Sequence, residues 1–262
     1  MVFLIIAHRV EFTLVDLIER LTADENSFVL HIDKTVDIAP FIELLKDVKS
    51  CYFLKDRYHS GWGTFGLIEA TLSGLRYIRN HFLLTERIVL LSGACYPIKP
   101  LNYISKFLKS HTKTIFIDYH PIPRKIWYDG GIYRFPFYDI AKNDLTFFGG
   151  SQWFSIPNNI TPIIFDFLDL NPLFMSYFRK VLIPDESFFQ TLFLNCEHPI
   201  IYKNLKNLNL HFMKWDKPYK SPRILSLIDL KQIKRSKCLF ARKFVYPHSI
   251  SLQEHLDSTN IL

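Results

Sequence analysis

Glycine is scarce in this chain of 262 residues, which contains only nine glycines. That is about half of the usual ~7% share, and it argues against a glycine-rich phosphate loop, a collagen-like repeat and flexible glycine linkers. Cysteine is also sparse: the four cysteines lie far apart and form no C-x-x-C pair. A zinc site is therefore not indicated, and a reduced cytosolic compartment is the simpler expectation.

Long hydrophobic runs are missing as well. The opening run at 2–7 has six residues and is followed by His8 and Arg9. A membrane-spanning helix needs about 20 apolar residues, and a signal peptide needs an apolar region of ~7–15. We therefore expect neither a membrane anchor nor an export signal, and a cytoplasmic location.

Hydrophobic residues make up 48% of the sequence and charged residues 22%, which excludes global disorder. The 32 Lys and Arg exceed the 25 Asp and Glu, giving a net charge of +7. This excess favours an anionic partner, but it does not choose among a nucleotide, a nucleic acid and a membrane surface. We find no internal repeat, low-complexity tract or linker, so we predict one domain over 1–262.

The first half alternates buried apolar runs with helical periods, which predicts an α/β fold with a mostly parallel sheet flanked by helices. The predicted strands are 2–7, 28–32, 51–54 and 88–91, and the predicted helices are 13–21, 38–45 and 65–80. Ligands of such sheets bind beyond the carboxyl ends of the strands. This rule directs attention to His8, Asp33, Trp62 and the segment 92–97.

The second half is less regular. Aromatic residues and prolines fill 116–154, and helices are predicted over 160–168 and 172–181. A further helix is predicted to open at Pro184, with two carboxylates in its first turn. The tail is strongly basic, with Lys214, Lys217, Lys220, Arg223, Lys231, Lys234, Arg235, Lys237, Arg242 and Lys243.

Several of these residues have two interpretations. Asp33, in the sequence HIDK, is either a metal or nucleotide contact or a strand-end cap. Trp62, between two glycines, either walls a ligand site or packs in the core. Cys95 as a nucleophile would need an activating base or an electropositive site. The sequence has no Asp-x-Asp pair of the kind that holds a divalent cation in many sugar-nucleotide transferases.

The charged candidate residues also have two interpretations each. Asp185 and Glu186 are either a catalytic base with its orienting partner or ordinary carboxylates at a helix start. Arg223 and Lys243 either bind a diphosphate or belong to a solvated basic face. Phe240 and Phe244 enclose Arg242 and Lys243, which favours partly buried cations that need anionic partners. Basic residues among aromatics also fit nucleic-acid binding, but no recognition motif supports it.

Seven motifs in a fixed order resemble the core-2/I-branching β-1,6-N-acetylglucosaminyltransferase and peptide O-xylosyltransferase family. They are HIDK at 31–34, WG at 62–63, SGACYPIK at 92–99, GGSQWF at 149–154, PDESFFQT at 184–191, KW at 214–215 and FARKF at 240–244. The resemblance implies a GT-A-like fold and an inverting transfer that needs no metal and no other cofactor. By the same resemblance Glu186 is the catalytic base, and Arg223 and Lys243 stabilise the departing UDP.

The resemblance implies further contacts. Asp33 matches the aspartate that contacts uracil, Ile6 lies near a backbone contact to the same ring, and Trp62 belongs to the donor site. Trp215 matches an acceptor-site tryptophan. Further substrate contacts are expected at Ser151, Trp153, Asp185, Arg124 and Arg134.

The chain also departs from the family. The animal enzymes carry Asp where this chain has Cys95, and the stem, anchor and disulfide cysteines of the Golgi members are missing. The expected protein is a bacterial-type transferase of surface-polysaccharide biosynthesis, acting on a glycan or lipid-linked glycan. UDP-N-acetylglucosamine is the favoured donor. Alternatives are transfer of xylose or another hexose, or a non-catalytic glycan- or nucleotide-binding relative. The tail cations suit contact with an anionic membrane.

Overall fold

The computed structural model describes residues 1–9, 12–22, 25–216 and 221–259; Lys217 and Lys220 of the basic tail lie outside these ranges. The strands are β1 (Val2–Ala7), β2 (Ser27–Ile32), β3 (Cys51–Phe53), β4 (Arg87–Ser92), β5 (Cys95–Pro97), β6 (Ile115–Ile117), β7 (His120–Pro121), β8 (Phe148–Gly149), β9 (Phe154–Pro157), β10 (Leu205–Asn207), β11 (His211–Met213) and β12 (Phe240–Arg242). The helices are α1 (Phe12–Thr22), α2 (Ala39–Leu44), α3 (Gly66–His81), α4 (Leu101–Ser110), α5 (Tyr138–Ala141), α6 (Thr161–Leu170), α7 (Pro172–Phe178), α8 (Phe188–Asn195), α9 (Pro199–Asn204), α10 (Leu230–Arg235) and α11 (Ile250–Thr259).

A seven-stranded sheet in the order β10-β6-β9-β4-β1-β2-β3 forms the centre of the fold. Neighbouring strands are parallel except at β9, which runs antiparallel to both β4 and β6. The predicted α/β fold with a mostly parallel sheet is confirmed.

The sheet is covered on both faces because successive side chains of a strand point to opposite sides. In β1, Val2, Leu4 and Ile6 join a core with α3, α6, α7 and α8. Phe3, Ile5 and Ala7 join a second core with α1, α4 and α11. A strand buried on both faces needs an unbroken apolar run, which explains the sequence of this strand.

A smaller three-stranded sheet, in the order β11-β12-β5, packs on the second core. Strand β12 is parallel to β11 and antiparallel to β5, and its register places Arg242 opposite Cys95. Part of the segment 92–97, to which the strand-end rule directs attention, is therefore strand β5.

The predicted helices over 13–21, 38–45 and 65–80 correspond to α1, α2 and α3. The helix expected over 172–181 is shorter and ends at Phe178. The expected helix start at Pro184 is wrong. Pro184–Glu186 forms a 3₁₀ turn, and α8 begins at Phe188. Ser187 adopts φ −149°, which interrupts the helical backbone between the two segments. Within the described ranges, no helix combines the length and the apolar character that crossing a membrane requires.

Candidate active site

The predicted residues meet at the edge where the parallel strands end. The Asp33 amide donates to Ala7 O over 2.8 Å, which joins the ends of β2 and β1. The Gly93 amide donates to Ile6 O over 3.3 Å and joins β4 to the same edge. Because β9 is antiparallel, the loop before it also lies here, and Ser151 N donates to Asp118 Oδ2 over 3.1 Å.

Asp33 is buried and accepts four hydrogen bonds. Oδ1 accepts from Thr35 N and Oγ1 at 2.8 and 2.6 Å, and Oδ2 accepts from Ser60 N and Oγ at 2.6 and 3.0 Å. Burial acts to raise its pKa, but these hydrogen bonds outweigh that effect and lower the pKa to about 2. The carboxylate therefore anchors the loop that leads to Trp62. The expected contact between Asp33 and uracil stays a prediction. A uracil bound there would have to share the carboxylate oxygens with Thr35 and Ser60.

Glu186 and Arg134 form an ion pair, with Arg134 Nη1 2.7 Å from Glu186 Oε2. The guanidinium lies over the Trp127 ring, with 4.1 Å between Cζ and the ring centroid. Burial opposes the charge of Arg134, but the hydrogen bond and the charge of Glu186 raise its pKa. Within the described residues, Glu186 Oε1 accepts no protein hydrogen bond. One oxygen is thus fixed, and the other is available to an incoming hydroxyl.

The backbone around Glu186 is held by two neighbouring loops. Gly150 N donates to Glu186 O over 2.8 Å, and a Cβ on Gly150 would collide with Asp118 O. On the other side, Gly63 has φ +72°, and a Cβ there would lie 3.5 Å from Ile183 Cγ1. The GGSQWF and WG motifs therefore converge on the turn that carries the carboxylates, far apart though they are in the sequence.

Asp185 is the second carboxylate of this turn, and it is more deeply buried than Glu186. Burial, and next the negative charge of Glu186, raise its pKa to about 7, against the effect of Arg134 and Arg242. Its Oδ1 has no hydrogen-bond partner within the described part of the chain. Neither carboxylate caps α8, whose first residues receive no side-chain cap. Of the two sequence interpretations, ordinary carboxylates at a helix start do not fit, because Asp185 is buried and the half-buried Glu186 pairs with Arg134.

Arg242 is the cation that FARKF brings to this pair. Its Cζ lies 4.6 Å from the centroid of the Trp153 ring. Burial lowers its pKa, whereas Cys95, Asp185 and Glu186 act in the opposite direction. The predicted partly buried cation in this motif is confirmed, with Arg242 as the residue facing the carboxylates.

Cys95 contacts Ser92 and Arg242 from β5. Ser92 N lies 3.3 Å from its Sγ, and burial raises the pKa of the thiol despite the neighbouring guanidinium. A buried, protonated thiol is a poor nucleophile. The geometry therefore favours a packing and hydrogen-bonding role over a nucleophilic one.

Arg223 is held by two carboxylates. It pairs with the fully buried Asp229 through Nη2, and its Nε lies 3.1 Å from Asp216 Oδ2. Lys214 Nζ lies 3.2 Å from the same Asp229 oxygen. Any diphosphate contact of Arg223 would therefore compete with existing ion pairs.

Lys243 follows β12 and is joined to the segment of Arg223 by backbone contacts. Leu225 N donates to Lys243 O over 2.8 Å, and Phe244 N donates to Ala94 O over 2.9 Å. The two predicted diphosphate ligands thus lie on adjacent segments near the carboxyl end of β4. The cations of α10 and its flank are exposed, as expected for a solvated basic face, and comprise Lys231, Lys234, Arg235 and Lys237.

The remaining predicted site residues differ in how exposed they are. Ser151 and Trp153 are buried, and Ser151 Oγ accepts from Trp153 N at 3.4 Å, so both stabilise the loop. Trp62 and Trp215 expose 58% and 49% of their surface, which leaves both rings accessible to a ligand. Arg124 is half-buried in the turn that leads to Trp127.

Sequence reasoning missed three residues that complete this edge. Asp118 follows β6 and could have been found from the strand-end rule. Gln190, inside PDESFFQT, donates from Nε2 to Ser151 O over 2.7 Å. His120 lies with its ring 4.6 Å from the Trp127 centroid, and burial lowers its pKa. No motif marks His120, because β7 has only two residues.

Two observations bear on other sites. Among the described residues, no group of three or more His, Cys, Asp or Glu is arranged to hold a metal ion. A shallow cavity lined by Met1, Phe82 and Lys109 lies at the opposite edge of the sheet, away from all the residues above. Among the described residues, Asp185 and Glu186 with the neighbouring Arg134 and Arg242 are therefore the main candidates for a reactive site.

Known glycosyltransferases are similar in sequence to parts of this chain. The β-glucuronosyltransferase GlcAT14A of Arabidopsis thaliana is 32% identical over 100 residues, covering 37% of this chain and 22% of that protein. The xylosyltransferases oxt of Drosophila melanogaster and Drosophila pseudoobscura pseudoobscura are 21% and 23% identical over 216 residues, covering 76% of this chain. The chain spans less than a quarter of the length of these relatives, 22–24%.

The family profile described as Core-2/I-Branching enzyme matches residues 1–235. This range contains the central sheet, the turn with Glu186 and the Arg223 ion pairs, and it ends before FARKF. The seven-stranded, mostly parallel sheet with helices on both faces is the GT-A-like arrangement that the motifs imply. Since the profile covers nearly the whole chain, this protein belongs to the Core-2/I-Branching enzyme family.

Proposed function

We propose that the protein is an inverting glycosyltransferase that moves a sugar from a UDP-sugar to a hydroxyl of a glycan acceptor without a metal ion. The observation that carries the proposal is the Glu186 carboxylate, fixed through Oε2 by Arg134 while Oε1 has no protein partner within the described residues. Family membership and the similarity to glucuronosyl- and xylosyltransferases support the reaction class.

The reaction is a single displacement. Glu186 Oε1 accepts the proton of the acceptor hydroxyl as that oxygen forms a bond to the anomeric carbon, and the bond from this carbon to the UDP oxygen breaks. A positioned general base contributes about 10²–10⁴-fold in rate. Arg134 keeps the carboxylate oriented, which holds base and hydroxyl in a reactive geometry.

Charge develops on the diphosphate as UDP leaves, and cations must stabilise it. Lys243 and Arg223 are the proposed groups. Arg223 already pairs with Asp229 and Asp216, so its contact with the diphosphate would compete with these ion pairs. Asp33, Ile6 and Trp62 belong to the proposed nucleotide side of the site, and Trp215 belongs to the acceptor side.

UDP-N-acetylglucosamine is the proposed donor, with xylose or another hexose as the alternative on the same scaffold. Surface-polysaccharide biosynthesis on the cytoplasmic face of a membrane is the proposed setting. A non-catalytic glycan- or nucleotide-binding relative is the competing class. The Glu186 geometry favours catalysis, because a carboxylate with one fixed and one available oxygen suits proton transfer.

The test is a donor screen followed by turnover. Thermal shift with UDP-N-acetylglucosamine, UDP-xylose, UDP-glucose and UDP-glucuronic acid identifies the ligand, since specific binding stabilises the folded state. Donor hydrolysis or transfer is then measured with EDTA. We expect activity to persist; complete loss that manganese restores would overturn metal independence. Binding without turnover across all donors and a panel of glycan acceptors would favour the non-catalytic relative.

A further inference from the structure

Helix α8 follows the Glu186 turn and carries both apolar and polar side chains into the protein. The apolar ones pack in the core on one face of the central sheet, and they are Phe188, Phe189, Leu192 and Phe193. Three polar side chains of the same helix hydrogen-bond to the backbone of the segment 146–151, which contains the start of the GGSQWF motif. We call these three side chains the polar row, and they are Gln190, Thr191 and Asn195.

Two members of the polar row bind alternate residues of the segment. Asn195 Oδ1 accepts from Thr146 N over 3.0 Å, and Asn195 Nδ2 donates to Thr146 O over 2.8 Å. Thr191 Oγ1 accepts from Phe148 N over 3.1 Å and donates to Phe148 O over 3.2 Å. Each side chain thus satisfies both backbone groups of one residue, as a neighbouring antiparallel strand would. These contacts bind the segment firmly to α8.

Gln190 is the member of the row that is nearest to Glu186 in the chain. Its Nε2 donates to Ser151 O over 2.7 Å and to Asp118 O over 3.3 Å. Because both neighbours are carbonyl oxygens, the amide nitrogen must face them. The side chain is 1% exposed, and its Oε1 has no hydrogen-bond partner among the residues that the structure describes. A buried acceptor without a partner lowers stability, so stability alone does not account for an amide here.

The carbonyls that Gln190 binds lie beside the backbone contact of Glu186. Gly150 N donates to Glu186 O over 2.8 Å. A Cβ on Gly150 would collide with Asp118 O and lie 3.1 Å from Gln190 Nε2, so these groups are closely packed. Glu186, α8, Gln190, Ser151 and Gly150 therefore form a closed ring of contacts. A shift of the loop at Gly150 would displace the Glu186 backbone with it.

We propose that Gln190 is a positioning residue for Glu186. By holding Ser151 and Asp118 against α8, it fixes the loop that binds the Glu186 backbone, and it thereby fixes the place of the carboxylate that accepts the proton. The effect on the reaction rests on the proposed transferase function, whereas the hold on the loop does not. Since Gln190 acts through the loop, its loss should slow the reaction step and leave donor binding nearly unchanged.

The test compares Gln190→Met with Asn195→Leu in the full chain. Methionine is similar in length and volume but donates no hydrogen bond, so it removes both contacts with little change in packing. Asn195→Leu is the matched control, because it removes hydrogen bonds of the same row at the last residue of α8, the end away from Glu186. Thermal midpoints report the loss of stability in each variant. Gln190→Asn, with its shorter side chain, is the second variant if Gln190→Met does not fold.

The first readout is turnover with each UDP-sugar of the donor screen. We expect kcat of Gln190→Met to fall about tenfold or more with the donor KM nearly unchanged, because a small misplacement of a base reduces the rate strongly. Asn195→Leu should keep a kcat near that of the wild type, even where its thermal midpoint falls as far. Unchanged kcat in Gln190→Met, a rise in KM alone, or equal losses of kcat in both variants would overturn the positioning role.

The second readout needs no turnover, and it is hydrogen exchange of the Gly150 amide measured by NMR. This exchange should be about tenfold faster in Gln190→Met than in the wild type, because the loop loses the contacts that hold it closed. In Asn195→Leu it should stay near the wild-type rate. Unchanged Gly150 exchange in Gln190→Met would overturn the hold on the loop. A wild type that turns over no donor would overturn the transferase proposal, and the exchange rates would still decide whether Gln190 holds the Glu186 turn.

Discussion

Arg134 and Glu186, 52 residues apart in the chain, are joined by a 2.7 Å hydrogen bond from Nη1 to Oε2. The two residues come from different kinds of segment: Arg134 ends the aromatic turn Tyr128–Arg134, and Glu186 ends the 3₁₀ turn before α8. The pair therefore joins the irregular region to the core of the fold, and it determines which of the two carboxylate oxygens is bound by the protein.

Glu186→Gln should reduce kcat by about 10²–10⁴-fold, because the amide cannot accept the acceptor's proton. UDP affinity by calorimetry should stay near that of the wild type. The matched control is Glu197→Gln, an exposed glutamate just beyond α8. Near-normal turnover of Glu186→Gln would exclude this residue as the base.

Arg134→Met should lower kcat about 10–100-fold, which is the expected effect of losing a charge-assisted hydrogen bond that orients the base. KM for the donor should change little, since Arg134 contacts the base and Trp127. Arg134→Lys should recover part of kcat, because it restores a positive charge near Glu186. A variant that raises only KM would mean that Arg134 binds substrate and does not position the base.

Arg223→Ala should lower the stability of the fold by about 2 kcal/mol, because it removes one of the two cations that pair with the fully buried Asp229, while Lys214 remains. Arg235→Ala, at an exposed position on α10, should change stability little and serves as the control. Lys243→Ala should instead weaken UDP binding, measured by calorimetry at a temperature where all variants are folded. Unchanged UDP affinity and normal rates in Lys243→Ala would remove it from the diphosphate site.

Asp33→Asn should destabilise the protein most above pH 4. The pKa of Asp33 falls from about 3.8 unfolded to about 2 folded, so its contribution is complete above the unfolded value and is lost as pH falls toward 2. The shift corresponds to about 2 kcal/mol. Urea denaturation at pH 7, 5 and 3 should show the wild-type advantage narrowing at pH 3. Asp37→Asn, at an exposed position, controls for general charge effects. A constant difference across this range would contradict the hydrogen-bonded role of the carboxylate.

The central fold was predictable because its strands are buried on both faces. Val2–Ala7 and Arg87–Ser92 carry unbroken apolar runs, and α1 and α3 carry clear helical periods. Strands β5 and β12 were not predicted, because each has three residues and these include a proline in β5 and a charged residue in β12. The helix predicted at Pro184 shows a related limit: carboxylates after proline suit both a helix start and a 3₁₀ turn, and the backbone of Ser187 decides between them.

The candidate site was predictable only in part. Glu186 was selected through its motif, but its partner could not be paired with it from local sequence, since ion pairs across 52 residues depend on the tertiary fold. FARKF suggested buried charge, yet only the register with β5 shows that Arg242 lies opposite Cys95. Asp33 illustrates the opposite case, because a residue chosen for ligand contact proves to be hydrogen-bonded within its own loops.

The antiparallel direction of β9 has a consequence for how this protein can diverge. The chain leaves the sheet at Asp118 and returns at Ser151, and the 3.1 Å hydrogen bond between them brings the two ends of the excursion together. A segment whose ends meet can change length and sequence without displacing the strands on either side. The residues between thus form a segment whose exposed part can vary in length and sequence, whereas Arg134 and the buried Ile122, Phe135 and Phe147 tie it to the Glu186 turn and the core. Changes in the exposed part would alter the surroundings of Glu186 while the central sheet stays the same.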